Sequence, residues 1–258
     1  MKRLLLLITI FISTVSFGQV PSYVPTNGMV AYWPFNGNAN DESGNGYNGA
    51  IELNPSLTSG HDLTANSAYD FEWDNVTGYG SAWQRIEIPS ISEMSQSNLT
   101  INAWINPESF YWPNNSIQTS MIIGSSAQCV STDLRFVINP NGILAFSQAT
   151  GVTAQSPQNS VVLNQWQMVT VSATVDSTFL FVNGLQVAAT LNTGTPDFSG
   201  CLVIGEHHQG NGHWYYFDGI IDNVGLWNRK LTECEILDLY EGSLGNCCVP
   251  DPITSQPT

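Results

Sequence analysis

The stretch LTINAWI, residues 99 to 105, decides the fold class. Apolar residues occupy every second position, with Thr100, Asn102 and Trp104 between them. A β-strand with one buried face produces this period of two, because successive side chains point to opposite faces. The stretch MVTVSATV, residues 168 to 175, repeats the pattern with Val169, Val171, Ala173 and Val175 on one face. Both stretches are predicted to be half-buried strands.

Two hairpins and six further strands are predicted around them. In FLFVNGLQVAATL, residues 179 to 191, Asn183 and Gly184 have the residue types of a type I′ turn. The stretch FVINPNGILAF, residues 136 to 146, repeats this arrangement. The remaining strands are predicted at residues 30–35, 67–71, 85–88, 120–124, 201–205 and 220–227.

One helix is predicted in LTECEILDLYEG, residues 231 to 242. Thr232 and Glu235 have the spacing of a capping box, and Gly242 ends the helix. Many strands with turns between them and no alternating helices favour two antiparallel sheets packed face to face.

The first eighteen residues are predicted to be a secretory signal peptide. Lys2 and Arg3 precede the apolar run Leu4 to Ile12, and Ser16 and Gly18 fit a cleavage site after Gly18. The run is shorter than the ~20 residues that a spanning helix needs, so we expect a secreted or cell-surface protein without a membrane span. Removal of Lys2 and Arg3 changes the formal net charge from −15 to −17, which disfavours nucleic acid as a partner.

Five cysteines follow the predicted signal peptide, where disulfides are expected. We predict a bridge from Cys234 to Cys247 or Cys248, and a second one from Cys129 to Cys201. The odd number leaves one thiol unpaired or paired with another molecule.

Several blocks in order carry a resemblance to a known family. They are VAYWPFNGNANDESGNGYNG, ANSAYDF, IEIP, LTINAWINP, FVNGLQV and FDGIIDNVGLWNRKLTECEI, between residues 30 and 236. Together, over residues 28–242, they resemble the laminin G-like, concanavalin A-like jelly rolls of secreted bacterial proteins. The resemblance implies an all-β, two-sheet antiparallel jelly-roll sandwich with one short C-terminal helix. The middle stretch FEWDNVTGYGSAWQR departs from the family pattern.

The resemblance also implies a structural calcium ion between the loop NGNANDESGNGYNG, residues 36 to 49, and the last strand. The matching carboxylates are Asp41 and Asp222, and Asn and Gly turns offer the oxygen ligands that calcium prefers. Further possible donors are Asn36, Asn38, Ser43 and Asn48. The alternative is that Asn and Gly occur here because they cap their own turns and tolerate left-handed backbone conformations.

No catalytic pattern stands out, so we predict a protein that is not an enzyme. Asp70, Glu72 and Asp74 alternate in DFEWD, but three carboxylates entering a turn are more typical of a solvated or metal-binding segment. The alternatives kept are a glycoside hydrolase of the same fold and a structural spacer in a multidomain surface protein. The four histidines have no partners in a known motif.

Two aromatic loops are candidate sugar-binding sites. Tyr111, Trp112 and Asn114 lie in SFYWPNN, and Trp214 and Tyr215 lie in HHQGNGHWYYFD. Aromatic rings stack on sugar rings while neighbouring amides bind hydroxyl groups; the alternative is that these rings only fill the edge of the sandwich.

The predicted function is a non-catalytic, calcium-stabilised module that binds glycan or an extracellular protein partner. The Pro-rich tail, residues 243–258, resembles the start of a further module, so we expect a longer multidomain chain.

Overall fold

The computed structural model describes residues 20–72, 84–91, 98–110, 119–125, 134–147, 153–191, 201–209 and 213–245. All the strand pairs in these ranges are antiparallel, and they build two large sheets and one separate hairpin. The prediction of an all-β sandwich of two antiparallel sheets is confirmed.

The first sheet has eight strands. They are β1 (Met29–Trp33), β3 (Ser56–Thr58), β4 (Ala68–Phe71), β6 (Leu99–Pro107), β11 (Gln167–Ala173), β12 (Ser177–Val182), β13 (Leu185–Leu191) and β17 (Gly219–Trp227). Their order is β13-β12-β11-β6-β17-β4-β3, and β1 also pairs with β17. The first and last strands of the domain are therefore neighbours in the sheet.

The second sheet has seven strands. They are β2 (Ala50–Glu52), β5 (Arg85–Ile88), β7 (Ser120–Ser125), β8 (Arg135–Asn139), β9 (Ile143–Ser147), β10 (Thr153–Gln155) and β14 (Leu202–Ile204), in the order β10-β9-β8-β7-β14-β5-β2. The hairpin of β15 (Glu206–Gln209) and β16 (His213–Tyr216) follows. Tyr215 of this hairpin packs against Met121, Val137 and Ala145 on the outer face of the second sheet.

The main hydrophobic core lies between the two sheets. Its largest side chains include Trp33, Phe35, Phe71, Phe136 and Phe146, all of them buried. The apolar positions of LTINAWI also belong to this core, as the period of two predicts.

The single helix in the described ranges, α1 (Glu233–Glu241), covers part of the outer face of the first sheet. The predicted capping box of Thr232 and Glu235 is present, and Gly242 ends the helix with a φ of 65°. Ile236 and Leu239 of the helix pack with Trp227 and other outward side chains of the sheet. No helix in the part of the chain that the structure describes is long and apolar enough to cross a membrane.

One sequence prediction about the outer face of the first sheet is wrong. The polar positions of β6 and β11 were expected to face solvent, yet Thr100, Asn102 and Thr170 are all buried. A period of two identifies the two faces of a strand but does not show what covers each face. Val175 was also expected in a strand, but β11 ends at Ala173 and Val175 is 43% exposed.

The turn between β12 and β13 agrees with the prediction, since Asn183 and Gly184 have φ angles of 50° and 77°. Asn141 and Gly142 of the other hairpin also have positive φ angles. Left-handed geometry at both central positions is the requirement of a type I′ turn, and Asn and Gly meet it at the lowest cost.

Among the cysteines, Cys201 and Cys234 are disulfide-bonded. Cys129, Cys247 and Cys248 lie outside the described residues. Both predicted pairings, Cys234 with Cys247 or Cys248 and Cys129 with Cys201, therefore stay predictions.

Candidate ligand-binding site

The loop predicted to bind calcium is organised around Asp41. Its carboxylate is buried and accepts three backbone hydrogen bonds, from Tyr32 and Ser43 to Oδ1 at 3.0 and 2.9 Å and from Tyr47 to Oδ2 at 2.9 Å. The backbone N–H of Asp41 donates to Asn48 Oδ1 at 2.9 Å. Asp41 thus holds the loop against β1 by hydrogen bonds within the chain.

The other predicted calcium ligands have local contacts. Asn38 Oδ1 accepts from the backbone of Asn40 at 2.7 Å, and its Nδ2 donates to the carbonyl of Asn36. These contacts match the self-capped turn that the sequence left as an alternative. Within the described ranges, Asp41 and Asp222 share no hydrogen-bond partner, and no group of three or more His, Cys, Asp or Glu side chains could hold a metal ion. The shared calcium ion stays a prediction.

Asp222 lies in β17 at an irregularity in its pairing with β6. Its side chain is only 1% exposed, and Oδ2 lies 3.0 Å from the backbone nitrogen and 2.7 Å from ring Nδ1 of His61. The other oxygen, Oδ1, is buried and has no hydrogen-bond partner. Burial raises the pKa of Asp222, and the hydrogen bonds from His61 oppose that rise.

Four rings gather beside this carboxylate. His61 stacks on Trp104 of β6, with ring centroids 4.1 Å apart and an angle of 14° between the planes. Tyr240 of α1 also stacks on Trp104 at 5.7 Å, and Trp166 meets His61 edge-on at 6.3 Å. We call these four residues the aromatic cluster. None is fully buried, and Tyr240 is 37% exposed.

Apart from Nδ1 of His61, the side-chain polar atoms of the aromatic cluster have no hydrogen-bond partner among the described residues. The indole N–H groups of Trp33 and Trp227 donate to backbone carbonyls at 2.8 and 2.6 Å. The indole N–H groups of Trp104 and Trp166 make no such bond, and neither do Nε2 of His61 or the hydroxyl of Tyr240. Stacking surface and unpaired hydrogen-bonding atoms therefore occur together on one partly exposed patch.

Sequence analysis missed this cluster. Trp104 was assigned to the solvated face of its strand, and His61 belonged to no motif. A large aromatic residue at a polar position of an alternating strand was the one available signal, since such a ring needs a cover or a ligand.

The aromatic loops proposed from the sequence are only partly within the described residues. Tyr111, Trp112, Asn114 and the side chain of Trp214 lie outside them. The hydroxyl of Tyr215 accepts from Arg135 at 3.3 Å, and the guanidinium carbon lies 5.4 Å from the ring centre. This ring packs on the second sheet and is separate from the aromatic cluster.

A second carboxylate with an altered pKa lies at the start of the hairpin. The side chain of Glu206 is 4% exposed, and its Oε2 lies 3.7 Å from Nε of Arg85. Burial, with a smaller contribution from Glu87, raises its pKa to about 7, although Arg85 opposes the rise. Its Oε1 is buried without a partner.

Solved structures of similar shape include domains of an arabinanase and of two toxins. Domain 4 of AbnA, a GH43 extracellular arabinanase from Geobacillus stearothermophilus, in complex with arabinotriose, is 18% identical over 82% of this chain and 98% of that one, with a TM-score of 0.54. The binding domain of botulinum neurotoxin DC, in complex with rat synaptotagmin II, is 14% identical with a TM-score of 0.61. The binding domain of Paraclostridial Mosquitocidal Protein 1 has the same identity and TM-score. Both toxin matches cover 84% of this chain and 52% of theirs, so this chain spans about half their length.

These identities are low, and the likeness shows the fold alone. No curated protein matches the chain. A family model described as the concanavalin A-like lectin/glucanases superfamily matches residues 80–237, which is more than half of the sequence. The matched region runs from before β5 into α1 and includes Trp104, Trp166 and Asp222. The chain therefore belongs to the laminin G-type domains of the concanavalin A-like lectin/glucanase superfamily.

Proposed function

We propose that this protein is a non-catalytic extracellular recognition module that binds glycan through the aromatic cluster. The proposal depends on four unpaired polar atoms: the two indole N–H groups, Nε2 of His61 and the hydroxyl of Tyr240. They lie on partly exposed rings that contact one another. Sugars present both an apolar ring face and hydroxyl groups, so they suit a surface that offers stacking and hydrogen bonds together.

The geometry favours binding with little rearrangement. In the tautomer that donates the Nδ1 proton to Asp222, Nε2 of His61 is an acceptor for a hydroxyl group. The indole N–H groups of Trp104 and Trp166 are donors for the oxygens of the same ligand. Because stacking and the buried carboxylate already restrict these rings, less ordering entropy is lost on binding.

The similar structures support a binding role in general terms. One was solved with arabinotriose and another with synaptotagmin, so a protein partner is the alternative ligand class. We favour glycan because the aromatic cluster combines exposed ring faces with unpaired hydrogen-bonding atoms. We favour binding over hydrolysis because the carboxylate next to the cluster, Asp222, is engaged by His61.

We also propose that the protein is exported and holds a structural calcium ion. The buried, unpaired Oδ1 of Asp222 supports a cation at the last strand, since calcium takes oxygen ligands. Asp41 supports it less, because three backbone N–H groups already compensate its charge.

The test is a glycan array followed by titration calorimetry on the mature chain, with Trp166→Ala and His61→Ala compared with Leu185→Ala. Leu185 is 69% exposed on the edge strand β13 and serves as the surface control. We expect each cluster substitution to weaken binding by at least about tenfold, which corresponds to about 1.4 kcal/mol. Absence of binding to any glycan, or unchanged affinity in both cluster variants, would contradict the proposal.

A further inference from the structure

The described residues contain four buried side-chain oxygens without a hydrogen-bond partner, and three of them lie on one face of the first sheet. These three are Oδ1 of Asp222, Oδ1 of Asp70 and Oδ1 of Asn106; the fourth belongs to Glu206. Buried polar atoms in folded proteins are nearly always paired, so a group of unpaired acceptors needs an explanation.

The strand register places Asp70 and Asn106 in one row. Ile220 of β17 pairs with Asp70 of β4 on one side and with Asn106 of β6 on the other. Residues opposite each other share a face, and the neighbours Tyr69, Ile105 and Ile221 point into the core, so the row faces outward. We call Asp70, Ile220 and Asn106 the acceptor row.

The acceptor row adjoins the aromatic cluster. Trp104 of β6 pairs with Asp222 of β17, and this pair lies two residues away from the pair of Asn106 and Ile220 on the same strands. Residues two apart on a strand share a face and are separated by about 7 Å. Asp70 and Asn106 are each partly exposed as whole residues, so one ligand can touch both the aromatic cluster and the acceptor row.

Negative charge surrounds the acceptor row. Glu72, Glu108 and Asp218 act on Asp70, and together with burial, the largest cause, they raise its pKa to about 6. Glu108 and Asp218 are adjacent, since the backbone N–H of Glu108 donates to the carbonyl of Asp218 at 2.8 Å.

Among the described residues, no lysine or arginine side chain offsets this charge. Only four basic residues follow residue 3, and all four are described and in contact elsewhere. Arg85 pairs with Glu87, Arg135 contacts Tyr215, Arg229 pairs with Glu235, and Lys230 lies over Phe179. Every neighbouring charge that acts on Asp70 is negative.

We propose that the acceptor row extends the glycan site and selects sugars that carry a free amine, with the ammonium group bound at Asp70 and a neighbouring hydroxyl bound at Asn106. This inference rests on the proposed function and names its ligand class. An ammonium group supplies donors and the missing positive charge together. A neutral sugar supplies donors only, and an acidic sugar is repelled.

The test uses oligosaccharides of glucosamine and of N-acetylglucosamine of equal length, titrated into the mature chain at a pH that keeps the amines protonated. We expect the amine form to bind at least about tenfold more tightly at low salt, and added salt to reduce the difference. Asp70→Asn should remove the preference and keep binding of the acetylated form, whereas Glu87→Gln on the second sheet should change neither.

The outcomes separate this inference from the proposed function. Binding of the acetylated form that equals or exceeds binding of the amine form overturns the inference and leaves glycan binding intact. Binding of neither, together with a negative glycan array, overturns both. If Asp70→Asn does not fold, Glu108→Gln replaces it, since that side chain is exposed and also acts on Asp70; an undiminished amine preference in this variant overturns the inference.

Discussion

The outer face of the first sheet has two halves that differ in how their polar groups are paired. In the half under α1, the hydroxyl of Thr100 contacts Ser172 at 3.0 Å, donates to the carbonyl of Arg229 at 2.8 Å and accepts from the backbone of Leu231 at 3.0 Å. Nearby, Asn102 donates to Thr170 at 2.7 Å. In the open half, Asp70, Asn106 and Asp222 each keep an unpaired buried oxygen.

The same strands contribute to both halves, so strand formation does not explain the difference. In the half next to α1, strand β11 and the segment that leads into the helix supply hydrogen-bond partners, because an unpaired buried polar group costs stability. In the other half, three buried oxygens have no hydrogen-bond partner. The pairing of buried polar groups therefore distinguishes the two halves of this face.

The largest expected difference between the halves is in tryptophan substitutions. Trp227 is fully buried under α1, and Trp227→Ala should lower the free energy of unfolding by about 3–5 kcal/mol. Trp166→Ala in the open half should cost less than about 1 kcal/mol and act on binding instead. Urea unfolding of both variants measures the two changes in the free energy of unfolding. Equal changes would contradict the difference between the two halves.

A pH titration extends the comparison to Glu206 on the second sheet. Its pKa of about 7 in the folded state lies above the ordinary value of 4.5, so the unfolded state loses its proton first as the pH rises. Stability should therefore fall between about pH 4.5 and pH 7, by at most about 3 kcal/mol, and level off above that range. Unfolding across this pH range checks the prediction. Glu206→Gln should flatten the curve; a wild-type stability that rises over that interval would contradict it.

Chelation tests whether the unpaired oxygen of Asp222 serves a calcium ion. If an ion binds only the folded state, it adds about 2.7 kcal/mol at a hundredfold excess over Kd, so EDTA should lower the melting temperature. Asp222→Asn should remove this dependence. Asp41→Ala distinguishes the two accounts of the loop: an equal loss of stability with and without calcium identifies a self-capped turn. An unchanged melting temperature in EDTA, in protein shown to be free of metal, would contradict the calcium prediction.

The smallest expected effect concerns one hydroxyl group in the covered half. Thr100→Val should lower the free energy of unfolding by about 1–2 kcal/mol, because Leu231 loses a hydrogen-bond acceptor in a buried site. Thr190→Val on the edge strand β13 is the matched control and should have no measurable effect. Thermal unfolding of the two variants measures the effect. A Thr100→Val variant as stable as the wild type would contradict the claim that the buried polar groups of this half are tightly paired.

The elements that local sequence determines were predictable. The strand at Arg85–Ile88 has the predicted bounds, and Thr232, Glu235 and Gly242 delimit the helix as the capping rules require. The turn at Asn183 and Gly184 depends only on those two residues and the strands beside them. In each case the deciding interactions span a few residues, so the pattern along the chain contains them.

The candidate site could not be predicted in this way, because its members meet only in the folded chain. His61 and Asp222 are 161 positions apart, and Trp104 receives Tyr240 from a helix that follows the last strand. Alternation in LTINAWI determined by itself that Ile101 and Ala103 face the core. Only the tertiary structure decided that Thr100 and Asn102 are buried and paired while Asn106 keeps an unpaired oxygen, because the pairing of an outward side chain depends on which distant segment reaches it.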